Sequence, residues 1–244
     1  ATSRQAQLIT QIAGVDQNIA DLDNAVAIRQ EQVNKAIVDY QNAIAAENAL
    51  AGNPSSERRT HRMDLHGGLT SLPNRSFLVQ WLDHALVKAD RLPQPLAVFH
   101  LDLGGFKRIN GTHGHGVGDE LLRIVASRLA RAVRAEDVVS RLGGDEFACA
   151  MTPIPGRSQL GTLARKLFDS VSAPIRIGPH QLAMRPSVGI AMCPAQGATT
   201  ERLLRNAEAA MCHAKRHGCG FAFFDEAGGG ATCVPAALRE LVGR

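Results

Sequence analysis

Apolar residues in the first fifty positions fall at alternating steps of three and four: Leu8, Ile12, Val15, Ile19, Leu22, Val26, then Val33, Ala36, Tyr40 and Ala43. With Ile12, Ile19, Val26, Val33 and Tyr40 as heptad a positions, the d positions are Val15, Leu22, Arg29, Ala36 and Ala43. A period of about 3.5 residues predicts a coiled coil or helix-bundle seam over residues 1–50, and β-branched residues at a favour two strands. Arg29 and the alanines weaken the second half, and a single amphipathic helix packed on its own domain is the alternative reading. Ala51-Gly52-Asn53-Pro54 is a helix stop: glycine accepts a left-handed cap and proline cannot continue the ladder. Ser55 or Ser56 can cap a short helix running through Met63.

From residue 61 the pattern alternates between helical and extended periods. Helices are predicted over 76–88, 118–133, 160–170 and 200–216. Residues 95–103 read as a buried strand, 137–151 as a hairpin around Leu142-Gly143-Gly144-Asp145, and 174–193 as a second hairpin around Gly178-Pro179-His180. A last strand is predicted over 221–224, and residues 227–232 read as a Gly/Ala-rich linker. The fold class is α/β (α+β), a mixed central sheet covered by helices and preceded by a helical segment. The expected domains are 1–50 for the helical dimerisation segment, 51–63 for a linker with a short helix, 64–226 for the globular domain and 227–244 for a tail.

Composition changes this picture in three ways. Of the 244 residues 45% are apolar and only 4% aromatic, so the core must rest on Ala, Val, Leu and Ile. The net charge of +4 divides into −2 over residues 1–60 and +6 over the remainder. That is too mild for a nucleic-acid binder, so no nucleic-acid partner is expected, while the basic part suits a polyphosphate ligand. The five cysteines (Cys149, Cys193, Cys212, Cys219 and Cys233) are odd in number and form no C-x-x-C pair. Neither a disulfide framework nor a structural zinc site is expected, and a reducing, cytoplasmic location fits. No apolar run approaches the roughly 18–20 residues that cross a bilayer. The chain begins at Ala1 without a signal peptide pattern, as a piece of a longer protein would, so membrane contact is expected only through segments absent from it.

Two acidic sites carry candidate chemistry. Asp102 ends the apolar run Val98–Leu101, and Asp145 and Glu146 follow two glycines at a hairpin tip. If the two strands are neighbours, Asp102 and Asp145 converge as a hard-oxygen site suited to Mg²⁺ (or Mn²⁺). Gly143 and Gly144 then let a nucleotide approach the backbone closely. For the glycine pair alone, a plain β-turn with a solvated carboxylate is the simpler account.

The longer strings are more specific. Arg141-Leu-Gly-Gly-Asp-Glu-Phe147 resembles the signature of the GGDEF family, the diguanylate cyclases. His66-Gly-Gly-Leu-Thr-Ser-Leu-Pro-Asn-Arg75 resembles that family's opening block, and Asp102-Leu-Gly-Gly-Phe-Lys-Arg-Ile-Asn110 its D-x-D-x-F-K-x-I-N. Gly114-His115 and Gly118-Asp119 match G-H-x-x-G-D, and residues 207–218 resemble the closing block. The spelling is similar to that of members fused to an EAL phosphodiesterase domain. The resemblance implies a cyclase fold related to polymerase palms, and condensation of two GTP into cyclic di-GMP and two pyrophosphates by a homodimer. It further implies that Asp102, Asp145 and the Leu103 carbonyl bind Mg²⁺ and that Glu146 supports the metals or the 3′-hydroxyl. Asn110 and Asp119 would read guanine. Backbone N–H groups of Gly105 and Phe106 would cradle phosphates beside Gly144, with Lys107 and Lys215 adding positive charge. Arg134-Ala-Glu-Asp137 has the offset of the family's inhibitory R-x-x-D site, which implies feedback by cyclic di-GMP.

The chain departs from the family pattern at Gly67, Gly104 and Gly111, where acids are usual, and at His113 and Cys212, where tyrosine is. Cys219 stands where a phosphate-binding arginine is common. The expectation is a competent but weak cyclase. The alternative is a module that binds GTP or cyclic di-GMP and regulates a partner domain without turnover.

Overall fold

The computed structural model of the chain describes residues 68–91, 95–154, 156–193, 199–225 and 230–233, with Arg4, Gln17, Asp21 and Ile28 as isolated positions. The chain divides into two compact units, Ala1–Glu57 and Arg58–Arg244. In the first, the four described residues are helical, and Gln17 Nε2 donates to Asp21 Oδ1 one turn on, at 3.1 Å. The heptad seam, the helix stop and the short helix through Met63 lie outside the described residues.

The second unit is built on a six-stranded mixed sheet. Its elements run α1 (Arg75–Arg91), β1 (Leu96–Gly104), α2 (Phe106–His113), α3 (His115–Ala132), β2 (Val138–Gly143), β3 (Glu146–Met151), α4 (Arg157–Ser172), β4 (Ile175–Ile177), β5 (His180–Leu182), β6 (Arg185–Cys193), α5 (Thr200–His217), β7 (Phe221–Asp225) and β8 (Gly230–Cys233). The sheet order is β2-β3-β1-β6-β7-β8, with β4 and β5 in a separate two-stranded sheet. Among the strands of the described residues, β6 and β7 are the one parallel pair, joined by the crossover helix α5.

β1 is central and paired on both sides, which is why its sequence is almost wholly apolar. Its alternation sorts the core into two layers. Ala97, Phe99, Leu101 and Leu103 pack with α3 and α4 through Leu121, Val125, Leu129, Leu160 and Leu167. Leu96 and Val98 pack on the other face with Leu78 and Leu82 of α1 and Leu203 and Ala207 of α5. No helix among the described residues is long and apolar enough to cross a membrane.

Where α5 lies closest to the sheet, several of the packed residues are small. Ala148, Ala150 and Ala191 of the sheet cluster with Ala207 of the helix, and Ala222 with Ala210 and Ala214. A Cβ on Gly189 would run into the Ala207 carbonyl oxygen and the backbone of Met211. Helix and sheet therefore touch backbone to backbone there. On the other layer, Arg128 of α3 satisfies carbonyls at the end of α4: Nη1 donates to Ser170 O (3.0 Å) and Ala173 O (2.6 Å), and Nη2 to Pro174 O (2.9 Å).

Three expectations change. Residues 230–233 are not linker: they form β8, because pairing with β7 (Ala222 opposite Cys233, Asp225 opposite Gly230) holds a segment with no strand pattern of its own. The hairpin expected over 174–193 is only the short β4–β5 pair, and β6 leaves it to join β1 and β7. A disulfide, not expected from spacing, joins Cys219 and Cys233 with Cα atoms 6.0 Å apart. The β7–β8 register brings Cys233 back beside the segment that follows α5. Cys149 and Cys193 are buried thiols, and burial pushes Cys149 well above the ordinary range.

Gly189→Ala tests the close contact. Overpacking of this kind costs about 1–3 kcal/mol, and the expected result is a lower urea midpoint at unchanged slope.

Candidate active site

The C-terminal end of β1 and the β2–β3 turn lie side by side. Asp102 is opposite Glu146 in the β1–β3 register, and the Leu103 N–H donates to the Asp145 carbonyl at 3.1 Å. Asp102, Asp145 and Glu146 are thereby gathered at one end of two adjacent strands. The turn needs its glycines, since Gly143 and Gly144 have φ of +154° and +48°.

Arg141 closes this turn. Its Nε and Nη2 both donate to the Gly144 carbonyl, at 3.0 and 2.7 Å. Burial lowers the guanidinium's pKa, and the Asp119 and Asp145 carboxylates oppose that shift, which places both acids within its electrostatic reach. The Arg141 N–H donates to Pro73 O at 2.9 Å, and Asn74 Oδ1 accepts from the Phe77 N–H at 3.0 Å, capping α1. The opening Leu-Pro-Asn-Arg string thus docks on the outer edge of β2 and starts a helix. This role for Arg141 was hidden in the sequence, where it stood only as the first letter of the glycine-rich string.

Lys215 reaches the site through the crossover. α5 runs back from the end of β6 to the start of β7, and its last turn lies over the end of β1. Lys215 Nζ is 2.8 Å from Asp102 Oδ1 and 2.9 Å from Oδ2. The hydrogen bond to Asp102 holds the lysine above its ordinary pKa. A half-exposed ammonium therefore neutralises a buried carboxylate, where the sequence suggested a cation standing by for phosphates.

His100 is a further residue that sequence reasoning missed. It lies on the Asp102 face of β1, 3% exposed, with Nε2 3.8 Å from Glu146 Oε2. Neither ring nitrogen has a hydrogen-bond partner. Burial lowers its pKa, against the pull of Glu146 and Glu208, and favours the neutral ring. The available signal was a histidine two residues before an acid in an otherwise apolar strand.

Gly105, Phe106 and Lys107 form the start of α2: Phe106 is buried as its anchor, while Gly105 and Lys107 are exposed. Asn110 lies in the last turn of α2 and Asp119 in the first turns of α3, separated by the Gly114 bend. Arg134 and Asp137 are not part of this cluster. They precede β2, whose six residues put them about 20 Å away at roughly 3.3 Å per residue. There the Arg134 N–H donates to Asp137 Oδ2 at 2.9 Å, and Arg134 Nη1 is 3.9 Å from Glu136 Oε1.

The donor set fits a hard divalent cation, because it consists of carboxylate and carbonyl oxygens. Among the described residues no group of three His, Cys, Asp or Glu is already drawn together as a cage. Mg²⁺ takes one or two carboxylates and leaves the rest of its shell to phosphates and water. Gly104, at the position of the usual second acid, has no room for a side chain: a Cβ there would lie 2.5 Å from the Arg185 carbonyl oxygen of β6. Cys219, at the position of the usual arginine, is taken up in the disulfide.

The family model for the diguanylate cyclase GGDEF domain matches residues 65–220. The chain is 42% identical over 171 residues to MucR of Pseudomonas aeruginosa, a bifunctional diguanylate cyclase/cyclic di-GMP phosphodiesterase, which covers 70% of this chain and 25% of MucR. It therefore spans about a quarter of that relative's length. The solved GGDEF domain of TpbB from Pseudomonas aeruginosa has a TM-score of 0.60 at 38% identity, over 62% of this chain and 89% of that one. The coiled coil and GGDEF domain of DgcB from Caulobacter crescentus, in complex with c-di-GMP, has a TM-score of 0.61 at 26% identity, over 74% and 94%. The family match and the similarity to these proteins agree, and the chain belongs to the diguanylate cyclase GGDEF-domain family.

Proposed function

We propose that this domain condenses two GTP into cyclic di-GMP and two pyrophosphates, working as a homodimer in which each domain presents one nucleotide. In each half-reaction the 3′-hydroxyl oxygen of one GTP forms a bond to the α-phosphorus of the other, the bond to the bridging oxygen breaks, pyrophosphate leaves and the hydroxyl proton is released. The observation that carries the reading is the β1–β3 register, which holds Asp102, Asp145 and Glu146 beside the α2 and α3 ends. Asp102, Asp145 and the Leu103 carbonyl would hold Mg²⁺ (or Mn²⁺). When bound, the metal makes the hydroxyl more acidic and offsets charge developing on the phosphate.

The chain's own groups do the rest. Glu146 lies at the reacting edge, where it supports the metal shell or accepts from the 3′-hydroxyl. Phosphates sit on the N–H groups at the start of α2, at Gly105 and Phe106, where the helix dipole favours anions. Lys107 adds charge there, and Gly144 lets the nucleotide lie close to the turn. Asn110 and Asp119 read the guanine edge. Lys215 orients the buried Asp102 through their ion pair. Residues 1–50 would supply the dimer contact. Cyclic di-GMP bound at Arg134 and Asp137 would feed back, the planar guanidinium meeting guanine and the carboxylate its N–H edge. A cytoplasmic location follows from the GTP requirement.

Gly104 and Cys219 favour a second reading, a module that binds GTP or cyclic di-GMP without turnover. One position has no space for an acid and the other is cross-linked.

Incubation with GTP and Mg²⁺ separates the two. Cyclic di-GMP formation is expected, and nucleotide binding without product would sink the enzyme reading. Asp145→Ala should cut turnover by roughly 10³-fold, the scale of several kcal/mol of transition-state stabilisation. Arg134→Ala should leave initial rates intact and raise the cyclic di-GMP concentration needed for inhibition by at least about tenfold, a single charge-assisted contact's worth.

A further inference from the structure

Helices α2 and α3 meet at Gly118. The residue is buried, and a Cβ placed on it would collide with Oδ1 of Asn110, come within 2.9 Å of Asn110 Cγ and lie 3.3 Å from Phe106 Cζ. The hydrogen that stands in for a side chain therefore points at the Asn110 amide oxygen. That oxygen is sealed from solvent and has no hydrogen-bond partner. A C–H···O contact with Gly118 is the weak compensation available to it. The opposite orientation would turn two N–H donors against the Gly118 Cα–H, which offers them no acceptor, and each unmet donor carries its own desolvation cost. This packing thus favours the amide oxygen inward and the amide nitrogen outward.

We propose that Gly118 is a specificity-determining positioning residue. By having no side chain it lets Asn110 hide its acceptor and present only donors to the base. This rests on the reading of Asn110 as a guanine reader and names what orients it. The O6/N7 edge of guanine offers two acceptors to an outward NH₂ group. Adenine puts its N6 donor in place of O6, where it faces donor with donor. Asp119, the next residue in the chain, accepts from the N1–H and 2-amino group, so one turn of α3 sets both halves of the recognition. The glycine of the Gly118-Asp119 pair is then a ligand-orienting residue, although it makes no contact of its own with the nucleotide.

The test is calorimetric binding of GTP, ATP and ITP to the full chain and to Gly118→Ala, Asn110→Ala and the double variant. Gly118→Ala should weaken GTP binding by at least about tenfold, leave ATP binding unchanged and so collapse the GTP/ATP ratio. The wild-type preference for GTP over ITP, which reports the 2-amino group and Asp119, should persist. The double variant should match Asn110→Ala in affinity, since both substitutions act through one amide. A folded Gly118→Ala protein with the wild-type GTP/ATP ratio would overturn the proposal, as would additive losses in the double variant. If Gly118→Ala does not fold, the double variant should, because the collision is gone; failure to recover would also overturn it. A wild-type chain that does not prefer GTP over ATP would instead remove the guanine-reading assignment itself.

Discussion

The contact between α5 and β6 at Gly189 is the constraint on which both the core and the site depend. Without a side chain at that point, helix backbone lies against strand backbone. The parallel β6–β7 pair requires a crossover, and the crossover helix must return along the sheet to begin β7. These two facts together carry the last turn of α5 to the end of β1, where Lys215 meets Asp102. A larger residue in the layer would lift the helix and with it the only ion pair described for Asp102.

The sequence made α1, α3, α4 and α5 readable because each carries a helical apolar stripe long enough to be counted. α2 escaped because it is eight residues long, lies between Gly105 and Gly114, and buries only Phe106 and Ile109. β8 escaped for a different reason: Gly-Ala-Thr-Cys has no alternation, and its strand exists through pairing and a cross-link with residues distant in sequence. The short β4–β5 hairpin was signalled by Gly178-Pro179, yet nothing local says that Arg185–Cys193 pairs elsewhere. In the site, the acids could be read from motif spacing, since strand ends and hairpin tips leave local marks. The partner of Lys215, the clamp made by Arg141 and the burial of His100 could not, because each depends on which strands become neighbours.

Several letters of the GGDEF pattern have structural tasks. Pro73 and Asn74 dock the segment before α1 on β2, Arg141 ties the turn by two donors to one carbonyl, and Gly118 makes room for a neighbouring side chain. The departures have structural consequences too. At Gly104 the β6 backbone occupies the space a side chain would need, so an acid could not be restored there without moving Arg185. At Cys219 a position used for charge has become a covalent tie between the end of α5 and the sheet's outermost strand.

The central place of β1 has one more consequence. A strand hydrogen-bonded on both sides and buried on both faces opens only when the domain as a whole does, whereas helix ends and turns open locally at much lower free energy. Asp102 and the Leu103 carbonyl sit on that strand, while Asn110, Asp119 and Lys215 sit near helix ends. In amide-exchange terms Asp102 is a stationary reference, and the groups proposed to touch base and phosphate are the ones free to adjust around it.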